Sequence, residues 1–233
     1  MTLSAFKSLA AGALLALFPS QSAADPGIFP VNSSPYGLDY AGWSAEWWTW
    51  NMEHPLFGHP SIDGVNFNVT SNQSGNVWFL ATPVQFGTAT PTPLTRNITV
   101  PKGKALFVGT LTGEMSSLEG AATEAEQRDI ANFQADRIVG LTCTLDGQTV
   151  NHAAYRFESP QFSFTAPDPW IFSPAPGGTG TAVADGYYLF LRPLSVGQHV
   201  LHYTGGFHFE AGIFGPEPFD ISADMTYVIT VTP

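Results

Sequence analysis

Cysteine is nearly absent from this chain: Cys143 stands alone among 233 residues, so no intrachain disulfide can form. A chain of this length buries roughly 70% of the surface its unfolded form exposes, enough to fold without a disulfide or metal staple. Cys143 sits in the alternating run Gly140-Leu-Thr-Cys-Thr-Leu145 and reads as a small buried hydrophobe. Positive charge is also scarce. Eight Lys and Arg face 19 Asp and Glu, a net charge of −11. An acidic surface without a basic cluster argues against nucleic acid and anionic membrane as partners. Past the N-terminal segment no apolar run reaches membrane-crossing length, so no membrane span is expected. The chain has no Gly-x-Ser-x-Gly elbow, no His-Glu-x-x-His motif and no internal repeat. Those absences disfavour a serine hydrolase and the helical zinc proteases.

What is present begins at the N-terminus. Lys7 precedes an apolar run over 9–18, and the small residues Ser22, Ala23 and Ala24 follow. This order is that of a secretory signal peptide over 1–24, with cleavage expected after Ala24. The mature chain, from Asp25, is then expected outside the cytoplasm, extracellular or periplasmic. Asn32, Asn68, Asn72 and Asn97 open Asn-x-Ser/Thr triplets, glycan acceptors in a eukaryotic secretory pathway and coincidences in a bacterium.

Short apolar or alternating runs then recur between Pro, Gly, Asn and Asp. They cover 65–69, 76–81, 95–100, 105–111, 138–145, 153–158, 161–165, 187–191, 199–204 and 224–231. Met225, Tyr227, Ile229 and Val231 share one face by their spacing of two, with threonines largely opposite. The pattern predicts an all-β, two-sheet sandwich of jelly-roll type in one domain, 25–233. Two segments break it. Over 39–54, Tyr40, Trp43, Trp47 and Trp50 recur at helical spacing, Asp39 can cap the start, and Pro55 ends the run. Over about 116–137, Ser116-x-x-Glu119 and Thr123-x-x-Glu126 both fit a capping box, and Glu124 can pair with Arg128. This second segment reads as a helix inserted between strands. Gly177-Gly-Thr-Gly180 lies in a Pro/Gly-rich loop and lacks the strand-to-helix context of a phosphate cradle.

The candidate site residues follow from side-chain chemistry. Trp43, Trp47 and Trp50 are expected to seal the interior, while Trp48, about 100° round the helix from Trp47, is expected to make an exposed stacking contact. Trp47, Trp48 and Phe207 are the candidate ligand contacts. His208 and Glu210, two apart on a strand, could share a divalent ion such as Zn²⁺, Mn²⁺ or Cu²⁺. His202 joins them only if Gly205-Gly206 bends the chain, and His199 points to the opposite face. Glu53, His54 and His59 form a looser group in a Pro-rich loop. Glu114 follows the apolar run 105–111 and precedes the helical insertion, where site-forming loops occur. It is the candidate catalytic carboxylate, with a turn or capping role as the plainer alternative.

Several segments resemble a widespread group of functionally uncharacterised secreted proteins found mainly in bacteria. They are Tyr40-Ala-Gly-Trp-Ser-Ala-Glu-Trp-Trp-Thr-Trp50, Gly75-Asn-Val-Trp-Phe-Leu-Ala81 and Val100-Pro-Lys-Gly-Lys-Ala-Leu-Phe107. Leu145-Asp-Gly147, Tyr155-Arg-Phe-Glu-Ser-Pro160, Asp185-Gly-Tyr-Tyr-Leu189 and Pro193-Leu-Ser-Val-Gly-Gln-His199 complete the set. The resemblance implies a β-rich architecture and export, and no site. A Phe/Pro-rich loop over 207–222 is expected to be particular to this chain. Three functions remain open at this stage, in this order. One is a binding module for a carbohydrate or small apolar ligand; the second is a metal-assisted or carboxylate-based hydrolase or lyase. The third is a structural envelope-associated protein.

Overall fold

A computed structural model describes residues 27–62 and 68–233. The expected signal peptide lies outside them, as does most of the expected strand over 65–69. In chain order the elements are α1 (Tyr40–Met52), β1 (Val77–Leu80), β2 (Gln85–Phe86), β3 (Leu94–Pro101) and β4 (Ala105–Ser116). Then come α2 (Glu124–Ala135), β5 (Ile138–Leu145), β6 (Gln148–Thr149), β7 (Arg156–Glu158) and β8 (Phe162–Ala166). Three long strands close the chain: β9 (Gly178–Leu191), β10 (Gly197–Phe209) and β11 (Phe219–Thr232). They form a two-sheet sandwich, as the periodicity predicts.

One sheet runs β1-β4-β9-β7, with β8 also on β9; the other runs β2-β11-β10-β5-β6, with β3 also on β11. Most neighbours are antiparallel, but β1 on β4 and β3 on β11 are parallel. The period-two face of β11 is the inner one: Met225, Tyr227, Ile229 and Val231 are buried, together with Leu201, Tyr203, Phe107, Leu189 and Phe190. A hydroxyl chain ties the layers together. Tyr203 meets Thr82 at 2.7 Å, and Thr82 donates to the Gly109 carbonyl at 2.7 Å.

Both helices form where their caps dictate. The Asp39 carboxylate accepts from the Gly42 N–H at 2.8 Å and starts α1. Thr123 and Glu126 make a reciprocal capping box that starts α2. The helical insertion is therefore shorter than the expected 116–137. Ser116 ends β4, and 117–119 form a single 3₁₀ turn. Arg128 pairs with Glu124 one turn back, at 2.6 Å, and with Glu158 of β7, which pins α2 to the first sheet.

Two further expectations change. The segment over 207–222 begins and ends as an extension of the β10–β11 ladder, with Phe207 opposite Ile221 and Phe209 opposite Phe219, and only 210–218 form the loop. Its alternating aromatics bury one face and so prolong the ladder. Gly178 to Gly180 likewise belong to β9, not to a loop. Cys143 is buried, as its alternating run predicts.

Candidate functional site

A second apolar cluster joins Leu111, Phe207, Phe209 and Ala223, backed by Val84, Phe219 and Ile221. Between this cluster and the tryptophan helix lies a cavity of about 650 Å³. Its walls are mainly apolar: Trp47, Trp48, Leu111, Ile171, Phe172, Phe207, Phe209, Phe219 and Ile221. Phe86 and Phe214 also line it while 69% and 66% exposed, so they mark its side toward solvent. Its polar groups are Asn51, Ser61, Thr82, Thr110, Thr112, Gln134, Glu114 and Glu119; among the described residues no Lys, Arg or His lines it.

The tryptophans reach this wall through tight packing of α1. Trp47 lies on Gly109 of β4, where a Cβ would stand 2.5 Å from its ring, and its indole N–H donates to the Leu80 carbonyl at 2.8 Å. Trp48 is not the exposed platform expected from its helical phase. It is 6% exposed, and its N–H reaches Thr112 Oγ1 and the Tyr188 hydroxyl, both at 3.0 Å. The physical reason is a second cover on α1. The segment between β8 and β9 folds Phe172 over the indole, stacked at 6.4 Å between ring centres. Trp48 therefore faces the cavity interior and not bulk water.

Glu114 also sits elsewhere than expected. β4 continues beyond Leu111, so Glu114 is a strand residue opposite Ala184 of β9. A bulge sets its direction: Gly109 pairs with Tyr188 and Leu111 with Tyr187, leaving Thr110 as the extra residue. Thr110 turns to His152, 2.8 Å from Oγ1, and donates to the Tyr187 carbonyl at 2.7 Å. Beyond the bulge, Thr112 and Glu114 stand two apart on one face.

The Glu114 side chain is 4% exposed, and its Oε2 has no hydrogen-bond partner. Burial first, then the charge of neighbouring Glu119 and a hydrogen bond to it, hold the Glu114 carboxyl well above the usual carboxylate range. Glu119 in turn accepts from Ser116 Oγ at 2.6 Å. Gln134 of α2 donates to the Glu114 backbone carbonyl at 3.2 Å. An acid group with an unused oxygen thus lines an otherwise mostly apolar chamber.

The expected site residues divide between two places. Trp47, Trp48, Phe207 and Glu114 all line the cavity. His202, His208 and Glu210 do not converge. β10 runs on through Gly205-Gly206, so His202 and His208 lie six residues, roughly 20 Å, apart. His202 meets Asp224 at 2.9 Å, while His208 meets Asp220 at 2.7 Å and Glu210 at 3.5 Å. The hydrogen bond to Asp220 raises the His208 pKa, favouring the imidazolium, which is not a metal ligand. His199 pairs with Asp146, at 2.7 Å. Among the described residues no group of three or more His, Cys, Asp or Glu is placed to hold a metal ion. His54 and His59 are buried beneath α1, ring centres 5.8 Å apart.

Asn51, Ser61, Thr82, Thr112, Gln134 and Phe172 were not among the candidates. One signal for them exists in the sequence: Thr112 and Glu114 alternate at spacing two at the end of an apolar strand, a polar stripe on a buried face. Comparison with family models, curated proteins and solved structures finds no match to this chain.

Proposed function

We propose that this is an exported binding protein for a small, largely apolar ligand held in the cavity between the tryptophan helix and the β10–β11 hairpin. The observation that carries this reading is the chamber itself: about 650 Å³, aromatic on several sides, with few polar groups. Ligand sites are typically of this size and composition. Between the two ligand classes left open by the sequence, the lining favours the apolar one. A sugar needs hydrogen-bond partners round its rim as well as a stacking face, and here the rim carries Phe86, Phe214 and Ile62. Export rests on the order of basic, apolar and small residues over 7–24.

Titration with the neutral dye N-phenyl-1-naphthylamine tests the reading. Saturable fluorescence enhancement is expected, and Ile171→Trp, which adds bulk to the cavity wall, should abolish it while leaving the circular dichroism spectrum unchanged. No saturable signal, or one indifferent to Ile171→Trp, would refute it.

A second reading, an acid–base enzyme, is favoured by one observation. A buried carboxyl with raised proton affinity beside a second carboxyl group is typical of catalytic acids. Glu114 and Glu119 are hydrogen-bonded to each other, whereas glycosidase carboxyl pairs stand ~5–9 Å apart. Such chemistry would rest on Glu114 alone.

A further inference from the structure

We infer that the cavity selects an apolar amine, its ammonium group seated at Glu114 and its hydrocarbon along the aromatic walls. This rests on the proposed ligand-binding reading and adds the ligand's headgroup. Two independent observations carry it. First, among the described residues Glu114 and Glu119 are the only ionisable side chains lining the chamber, and no described cation lines it to balance them. Second, Glu114 Oε2 is buried without a hydrogen-bond donor, although the other groups round it are engaged. Ser116 donates to Glu119, Gln134 donates to the Glu114 backbone, and Trp48 donates to Thr112 and Tyr188. The missing element of this wall is a donor, preferably a charged one.

An ammonium group meets both needs. It donates to Oε2, and its positive charge favours the ionised form of a carboxyl whose ionisation burial opposes. The faces of Trp48 and Phe172, stacked at the same wall, attract a cation further. A carboxylate headgroup would bring another acid against Glu114 and Glu119, with no Lys, Arg or His among the described lining residues to receive it. An alcohol can donate but brings no charge. The expected order is therefore amine, then alcohol, then carboxylate.

Decylamine, decanol and decanoate, each displacing N-phenyl-1-naphthylamine from the full exported chain, test this directly. Decylamine should bind about tenfold or more tighter than decanol, the gain of a charge-assisted over a neutral hydrogen bond. Decanoate should not displace the dye. Glu114→Gln, nearly isosteric, should bring decylamine down to the decanol level and so erase the headgroup preference. Equal affinity for the three headgroups, preference for decanoate, or an amine preference that survives Glu114→Gln would overturn the inference. If decanol then still binds and Ile171→Trp still abolishes it, the cavity reading stands and only the headgroup assignment falls. Failure of all three compounds to displace a dye that still binds saturably would overturn the headgroup assignment alone, whereas absence of saturable dye binding would remove both. The headgroup series on the unaltered protein needs no variant to fold.

Discussion

Acid should loosen this protein through two histidines behind the cavity wall, and the size of the effect can be worked from their surroundings. His59 is fully buried, its Nε2–H donating to the Asn51 carbonyl at 2.8 Å and its Nδ1 accepting from the Ser61 N–H at 3.0 Å. Both nitrogens are satisfied only in the neutral ring. Protonating Nδ1 would set one N–H against another. Burial, partly offset by that backbone bond, lowers its pKa from 6.5 to about 4. His152, beside Thr110, is likewise lowered by burial to about 4. Above pH 6.5 neither ring is protonated in either state, and their contribution is fully present. As pH falls, the unfolded chain takes up protons near 6.5 and the folded chain only near 4, so stability is lost across that window. The interval corresponds to about 3 kcal/mol for each ring, against a typical net stability of about 5–15 kcal/mol. Other groups act with the opposite sign, His199 and Glu114 among them, since their folded values are raised. The clean readout is therefore a difference. Urea unfolding of the wild type and His59→Gln should give a stability gap that is constant above pH 6.5 and moves by about 3 kcal/mol in the variant's favour by pH 4. A gap independent of pH would refute the argument. Asn51, Ser61 and Thr110 line the cavity, so ligand affinity should hold down to about pH 5 and fall only near pH 4, where the folded rings take up protons.

Three other outcomes are expected. Gly109→Ala places a methyl 2.5 Å from the Trp47 ring and should destabilise by about 1–3 kcal/mol, read as a lower melting temperature. Trp48→Phe removes the donor shared by Thr112 and Tyr188, and should lower stability by about 1–3 kcal/mol and weaken dye binding. Glu114→Gln should raise stability at pH 7 by about 1–3 kcal/mol, because a raised carboxyl contributes stability below its unfolded value, 4.5, and loses it as pH rises. That gain should fade as denaturation is repeated toward pH 4.5.

The parts of the fold legible in the chain are those governed by local rules. The spacing of Met225, Tyr227, Ile229 and Val231 assigns one face of β11 to the core, and all four are buried. Asp39 and the Thr123/Glu126 box mark helix starts that form as read. What escaped depends on neighbours distant in sequence. Trp48 has an outward helical phase, but Phe172, far along the chain, covers it. The bulge at Thr110 has no local signature, yet it decides where Thr112 and Glu114 point. His208 and Glu210 suggest a metal site by their spacing of two, and His202 joins them only if Gly205-Gly206 forms a bend. In the sheet that pair stays within β10, and Gly205 allows Leu111 close approach, since a Cβ there would lie 2.5 Å from its Cδ1. Glu114 lines the cavity from strand β4 and not from the loop that its place before the helical insertion suggests.

The seat of the ligand can be located outright by a crystal structure grown with 10-bromodecylamine, using the anomalous signal of bromine. The account predicts nitrogen within hydrogen-bonding distance of Glu114 Oε2 and bromine toward Phe86 and Phe214. Bromine on the outer surface, or a chamber holding only water at saturating amine, would contradict it.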